Sequence, residues 1–231
     1  MSTLAQLEAR IAARLVDAGN AVFATATIDE GLRAALSDYS SALPQASETY
    51  ITLPGDGHEI ALSSLAGLMS VLDVWWPFDP DSETWPPNQV SGFRVWWDQG
   101  QPVLLLASNT SSQPQAGDNL RVWYTLPHTI SGLDGGSYTS VFPLHESGLV
   151  TGAAAYVASS AEIDQIGTIR VDPTEVPALR QWSADRMAEF RTWLAAVAAS
   201  APSSGPTFAD GWGIDKWDSN RNPRQSRYPL Y

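Results

Sequence analysis

Apolar residues change their spacing twice along this 231-residue chain. Leu4, Leu7, Ile11 and Leu15 recur every three or four positions, which predicts an amphipathic helix over residues 4–18. Ile28, Leu32, Ala35, Leu36 and Tyr39 keep that period and predict a second helix from about Asp29 to Leu43. Thr27 or Asp29 is placed to cap it and Pro44 to stop it.

From Glu48 to Ile130 the period shortens and β-branched and aromatic residues take over. Tyr50–Leu53 and His58–Leu62 flank Gly55-Asp-Gly57 and read as a hairpin. Leu68–Trp76 reads as a strand ending at Pro77, and Phe78–Pro87 as a loop rich in Pro and Asp. Phe93–Trp97 and Val103–Leu106, joined at Asp98-Gln-Gly100, predict a second hairpin, and Leu120–Tyr124 a further strand. Helical spacing then returns. Ser147–Ser160 is Ala-rich, with Leu149, Ala153, Tyr156 and Val157 suitably placed for burial.

The longest predicted helix runs from Pro173 to about Ala199. Asp172 serves as its N-cap, Pro173 fits the first position, and Glu175 lies three residues after the cap. Pro177 is still near the first turn, where its missing N–H costs little. Val176, Leu179, Trp182, Met187, Phe190, Leu194 and Val197 line one face. The sequence therefore predicts an α+β fold, a helical bundle interrupted by a Trp-rich antiparallel β insertion, with an extended C-terminal arm. Residues 1–47 hold the first helices, 48–146 the β-rich insertion with loops, 147–200 the last helices and 201–231 the arm.

The arm combines Pro and Gly with large aromatics, a pattern that suits neither a long helix nor a featureless tail. Phe208, Trp212, Trp217, Arg221, Arg224, Arg227, Tyr228 and Tyr231 are anchors of the kind that lie on a partner surface. Charge sharpens this reading. The chain carries a net −12, and the arm's three Asp against one Lys and three Arg leave it at +1, so the body is at −13. An acidic body lacks the Lys and Arg that displace counterions from a phosphate backbone, yet DNA could pass beside it without sticking.

Chemical motifs are sparse. With no cysteine there are neither disulfides nor Cys-based metal sites, and no signal peptide or membrane-length apolar run is read. His58, His128 and His145 lack the spacing of a helical metal pair, and no HExxH occurs. Gly135-Gly136-Ser137 is no nucleophile elbow. Asp79, Asp81 and Glu83 alternate as in a calcium loop but lack its Gly and distal Glu, so they read as a solvated loop. No Gly-rich phosphate loop is present. The chain is thus read as a structural protein rather than an enzyme, with no cofactor.

Tryptophan is the one unusual enrichment, at ten residues. Trp75 with Trp76 and Trp96 with Trp97 are adjacent pairs, so on a strand each pair must point to both faces. Together with Trp123 they read as core, as a subunit interface or as a sugar-binding platform.

Gly100-Gln-Pro-Val-Leu-Leu-Leu106 and Ala116-Gly-Asp-Asn-Leu-Arg-Val-Trp-Tyr-Thr-Leu-Pro-His-Thr-Ile130 carry a resemblance. So do Leu36-Ser-Asp-Tyr39 with the following Pro44, and the helix around Gly152-Ala-Ala-Ala155. Over residues 28–198 the chain resembles head-to-tail adaptor (connector) proteins of tailed bacteriophages. The resemblance implies a ring-forming structural protein of the virion neck, made in the host cytoplasm. It also implies neighbouring copies in a ring of twelve beneath the portal protein, with the terminal arm docked on the portal. A stopper or tail protein would follow, and DNA would pass through the channel without specific binding or any role for a membrane. A Trp-rich carbohydrate-binding module, a tail-completion protein and a decoration protein are the alternative readings.

Overall fold

In a computed structural model the described residues are 2–17, 19, 22–79, 89–90, 92–107, 113–166 and 175–200, with side chains described outside 161–176. The chain forms two compact units. One comprises Met1–Gln45, Gly67–Met69 and Thr125–Ala201; the other comprises Ala46–Ala66 and Ser70–Tyr124.

The first unit holds helices α1 (Leu4–Arg14), α2 (Thr25–Ala42), α3 (Glu146–Ile166) and α4 (Glu175–Ser200). A capping box starts α1: the Thr3 hydroxyl accepts from the Gln6 N–H, and the Gln6 side chain accepts from the Thr3 N–H. The helix stops four residues earlier than the apolar spacing implies, and Val16 beyond it has a φ of 58°. Its buried stripe is Leu7, Ile11 and Ala12. Helix α2 begins four residues before the predicted start. Its N-cap is Ala24, with no side-chain bond, so neither Thr27 nor Asp29 caps it. Asp29 instead faces Glu8 of α1, whose pKa it helps to raise.

Between Leu149 and Ala158, helix α3 is apolar nearly all round, as a central helix must be. Leu149, Val150, Ala153, Ala154, Ala155, Val157 and Ala158 are all buried. Small residues bring its neighbours close. On α2, a methyl group at Gly31 would stand 2.5 Å from the Val157 side chain, and at Gly148 one would stand 2.3 Å from the Trp193 ring. From α4, Phe190, Leu194 and Val197 complete the core, with Trp182, Met187 and Trp193 packed at its margin. The connection 127–145 joins this core through Ile130, Leu133 and Val141.

The second unit is built from β1 (Gln45–Thr52), β2 (Glu59–Ala61), β3 (Ser70–Trp75), β4 (Phe93–Asp98), β5 (Gln101–Leu106) and β6 (Asn119–Leu126). They form two three-stranded sheets, ordered β1-β6-β3 and β2-β5-β4. The expected β4–β5 hairpin is present, with Asp98 opposite Gln101. Gln99 and Gly100 between them both have positive φ, 48° and 82°, as the tight two-residue turn of a right-twisted hairpin requires.

The expected hairpin between Tyr50–Leu53 and His58–Leu62 does not form. Its arms enter different sheets, with β1 beside β6 and β2 beside β5. Leu53 N–H donates to the Asp118 carbonyl, and the Leu106 N–H donates to the carbonyl of His58. Leu104, Leu106, Leu120 and Val122 alternate inward along β5 and β6, joined by Leu53, Ile60 and Leu62.

Candidate interaction surfaces

In the β unit, the five tryptophans read from sequence as core, interface or sugar platform take separate places. Trp75 and Trp76 are buried in the unit's own interior, 3% and 5% exposed. The Trp75 indole N–H donates to the buried Asp73 carboxylate at 2.8 Å, and Gln89 donates to the same oxygen at 2.9 Å. Trp76 donates to Asp118 at 3.2 Å. Burial of these rings is thus matched by a partner for each N–H.

Trp123 is half-buried and edges against Trp75, with ring centroids 6.1 Å apart. Between them sits the Arg121 guanidinium. Its carbon lies 4.7 Å from the Trp123 ring centre, 4.8 Å from Trp75, 5.4 Å from Phe78 and 5.6 Å from Tyr50. Glu48 on β1 pairs with Arg121. Four aromatic rings and one carboxylate therefore hold a single cation on the β1-β6-β3 sheet. This cation site escaped the sequence reading. Alternation of Arg121 with Trp123 on β6, facing Glu48 and Tyr50 on β1, is its only local trace.

Trp96 and Trp97 behave differently. They lie on β4, which ends its sheet, and are 36% and 59% exposed. Arg94 on the same strand is also exposed. Among the described residues, β4 pairs in its sheet only with β5.

In the helical unit, Tyr138, Phe142 and Leu144 are exposed at 53%, 53% and 79%. They precede α3, around the short 3-10 turn Pro143–His145. Below them lies a polar knot. The Tyr39 hydroxyl is 2.7 Å from His145 Nδ1, and the Tyr39 ring stacks on Trp193 with centroids 5.9 Å apart. His128 contacts the same ring at 4.8 Å. Its Nε2 is 2.8 Å from the Leu43 carbonyl, a bond that requires the proton on that nitrogen and leaves Nδ1 facing Ser140. Burial holds both histidines below their ordinary pKa; for His128 the bonds to Leu43 and Ser140 oppose this, while His145's charge adds to it. His58 belongs to the β unit, whereas His128 and His145 belong to the helical unit. Among the described residues, no three His, Asp or Glu side chains come together to hold a metal ion.

Two further acidic arrangements anchor α1. Glu146 accepts from Ser2 N–H at 2.8 Å, from the Ser2 hydroxyl at 2.6 Å and from Arg10 at 2.8 Å. Burial alone would raise its pKa, but these three donors bring it below the usual carboxylate value. Glu8 is pushed up, first by burial and then by the facing Asp29 carboxylate.

The predicted arm anchors Phe208, Trp212, Trp217, Arg221, Arg224, Arg227, Tyr228 and Tyr231 lie outside the described residues, as do Asp81 and Glu83. Asp172 and Pro173, expected to open the last helix, lie outside them too. Among the described residues no helix is long and apolar enough to cross a membrane.

No family model matches the chain, and no curated protein matches it. Solved structures do give similarities. One is to a chain in the neck of an empty GTA particle computed with C6 symmetry, at 16% identity and a TM-score of 0.31, covering 78% of this chain and 87% of that one. Another, with the same values, is to a chain in the virion of a native gene transfer agent particle. A third is to a chain in the neck of a native GTA particle computed with C12 symmetry, at 17% identity and a TM-score of 0.29, covering 79% of this chain and 92% of that one.

Proposed function

We propose that this chain is a structural subunit of a phage-type virion neck. It is a head-to-tail adaptor that closes into a ring, docks on a portal protein and continues the DNA channel toward the tail. The observation that carries the proposal is that each unit presents its own large apolar side chains to solvent. Trp96 and Trp97 do so on the β unit, and Tyr138, Phe142 and Leu144 on the helical unit. A subunit of a closed ring needs two different, complementary faces on one chain, and solvated aromatics in such number favour protein contact.

The resemblance of Gly100–Leu106 and Ala116–Ile130 to connector proteins points the same way. So does the charge distribution. A body of net −13 suits a channel wall along which DNA slides, and an arm of net +1 with five aromatic and three Arg anchors suits a protein partner. In this reading the arm 201–231 grips the portal and a stopper or tail protein binds below. No catalytic step is assigned to the chain.

The experiment is to mix the full chain, and a chain truncated at Pro202, with portal protein. The full chain binds and appears as rings on the portal by electron microscopy, while truncation weakens binding at least tenfold. Unchanged affinity after truncation sinks the arm assignment, and binding as isolated copies sinks the ring. A glycan-binding module, the other reading of the tryptophans, would be monomeric and would have its exposed Trp fluorescence protected by oligosaccharide.

A further inference from the structure

Resting on the ring reading, we propose that neighbouring copies join edge to edge through one sheet, with β4 of each copy lying beside β2 of the next. Strands β2 and β4 are the two ends of the sheet β2-β5-β4, and among the described residues each pairs in it only with β5. Both run antiparallel to β5, and therefore parallel to one another. A rotation about an axis along the strands preserves their direction. Copies related in this way bring β4 beside the next β2 as a parallel pair, and the contact is heterologous, the kind that generates a ring.

The side chains at the two ends fit this joint. Glu59, Leu105 and Arg94 are directly opposite one another across the three strands and share one face. Ala61, Val103 and Trp96 form the next row on that face. Glu59, Ala61, Arg94 and Trp96 are all exposed. If the rows continue into the next copy, Arg94 meets Glu59 about 4.8 Å away, one strand spacing. Trp96 then meets Ala61, a large ring beside a small side chain. Opposite charge and large-against-small pairing at the two ends of the same rows are what a self-continuing sheet requires. The partner is thus a second copy of this chain.

The chain has no cysteine, so introduced ones are its only thiols. Within one copy, positions 59 and 94 are separated by the whole of β5, about 9.6 Å at two strand spacings, too far for a disulfide. Glu59→Cys with Arg94→Cys in one chain can therefore be oxidised only between copies. The full chain carrying both is mixed with portal protein, oxidised, and run on a denaturing gel beside the single variants. The proposal expects a ladder of covalent oligomers for the double variant and none for either single one.

Rings that form on the portal yet give no ladder overturn the edge-to-edge joint while leaving the ring standing. A chain that forms no rings and no ladder overturns both. A second measurement guards against distortion by the thiols. Arg94→Glu should raise the concentration needed for ring formation at least tenfold, and Arg94→Glu with Glu59→Arg should restore it. An unchanged requirement in Arg94→Glu, or no recovery in the double exchange, contradicts the joint.

Discussion

Gly152 of α3 lies against the Phe190 ring of α4 so closely that a methyl group on it would stand 2.6–2.7 Å from three ring carbons. Phe190 is itself fully buried. Gly152→Ala is therefore expected to overpack the helical core and to destabilise the protein by about 2 kcal/mol. Urea unfolding followed by far-UV circular dichroism measures this. Gly55→Ala, where nothing lies within 4 Å, is the control and should leave the midpoint unchanged.

The tryptophans of the β unit should divide by consequence. Trp75→Ser removes a buried ring and one of the donors to the buried Asp73 carboxylate, which keeps Gln89, with an expected loss of about 3–5 kcal/mol. Trp97→Ser removes a ring that is 59% exposed and should change stability by less than about 0.5 kcal/mol. If Trp97 serves assembly, the same variant lowers ring yield on the portal. Thermal melts and particle counts on one set of variants separate the two effects.

Arg121 is held by four rings and Glu48, and only 18% of its side chain is exposed. Arg121→Lys keeps the charge but loses the flat group that stacks on the rings. We expect a loss of about 1–2 kcal/mol and a change in near-UV circular dichroism from the Trp75–Trp123 pair. An unchanged spectrum and midpoint would show that the aromatic cage contributes nothing beyond charge.

Stability should fall on acidification in two stages. His128 and His145, both held below 6.5 by burial, take up protons more readily in the unfolded chain. Their contribution is fully present above pH 6.5 and is lost as pH falls below it. Glu146, held below its ordinary 4.5 by Ser2 and Arg10, contributes above pH 4.5 and loses that contribution as pH falls through its lower folded value. Unfolding free energies at pH 7.5, 5.5 and 4 trace both stages. His145→Gln should shrink the first, leaving the share of His128, and leave the second.

The helices were legible because their determinants are local. Ile28, Leu32, Ala35, Leu36 and Tyr39 mark the buried face of α2 by spacing alone, and all five are buried. The β4–β5 hairpin was legible for the same reason, since Gln99-Gly100 supplies its turn within two residues. Strand partners across the β unit were not. Gly55-Asp-Gly57 carries a turn signal, but β1 pairs with β6 and β2 with β5, each far along the chain. A local turn cannot report such pairings.

The adjacent Trp pairs showed that both faces of their strands carry large rings, but not which rings would be covered. That depended on Asp73, Gln89 and Asp118 arriving from elsewhere as partners for the indoles. The meeting of Tyr39, His128, His145 and Trp193 had no sequence signature either, because four separated segments supply one side chain each.

The most direct test of the central claim is a cryo-electron microscopy map of an intact particle neck containing this chain. The account predicts a closed ring of copies against the portal, each with its arm from Ala201 onward laid on the portal surface. A neck in which the chain is missing, or is present only as isolated copies away from the portal, would contradict it.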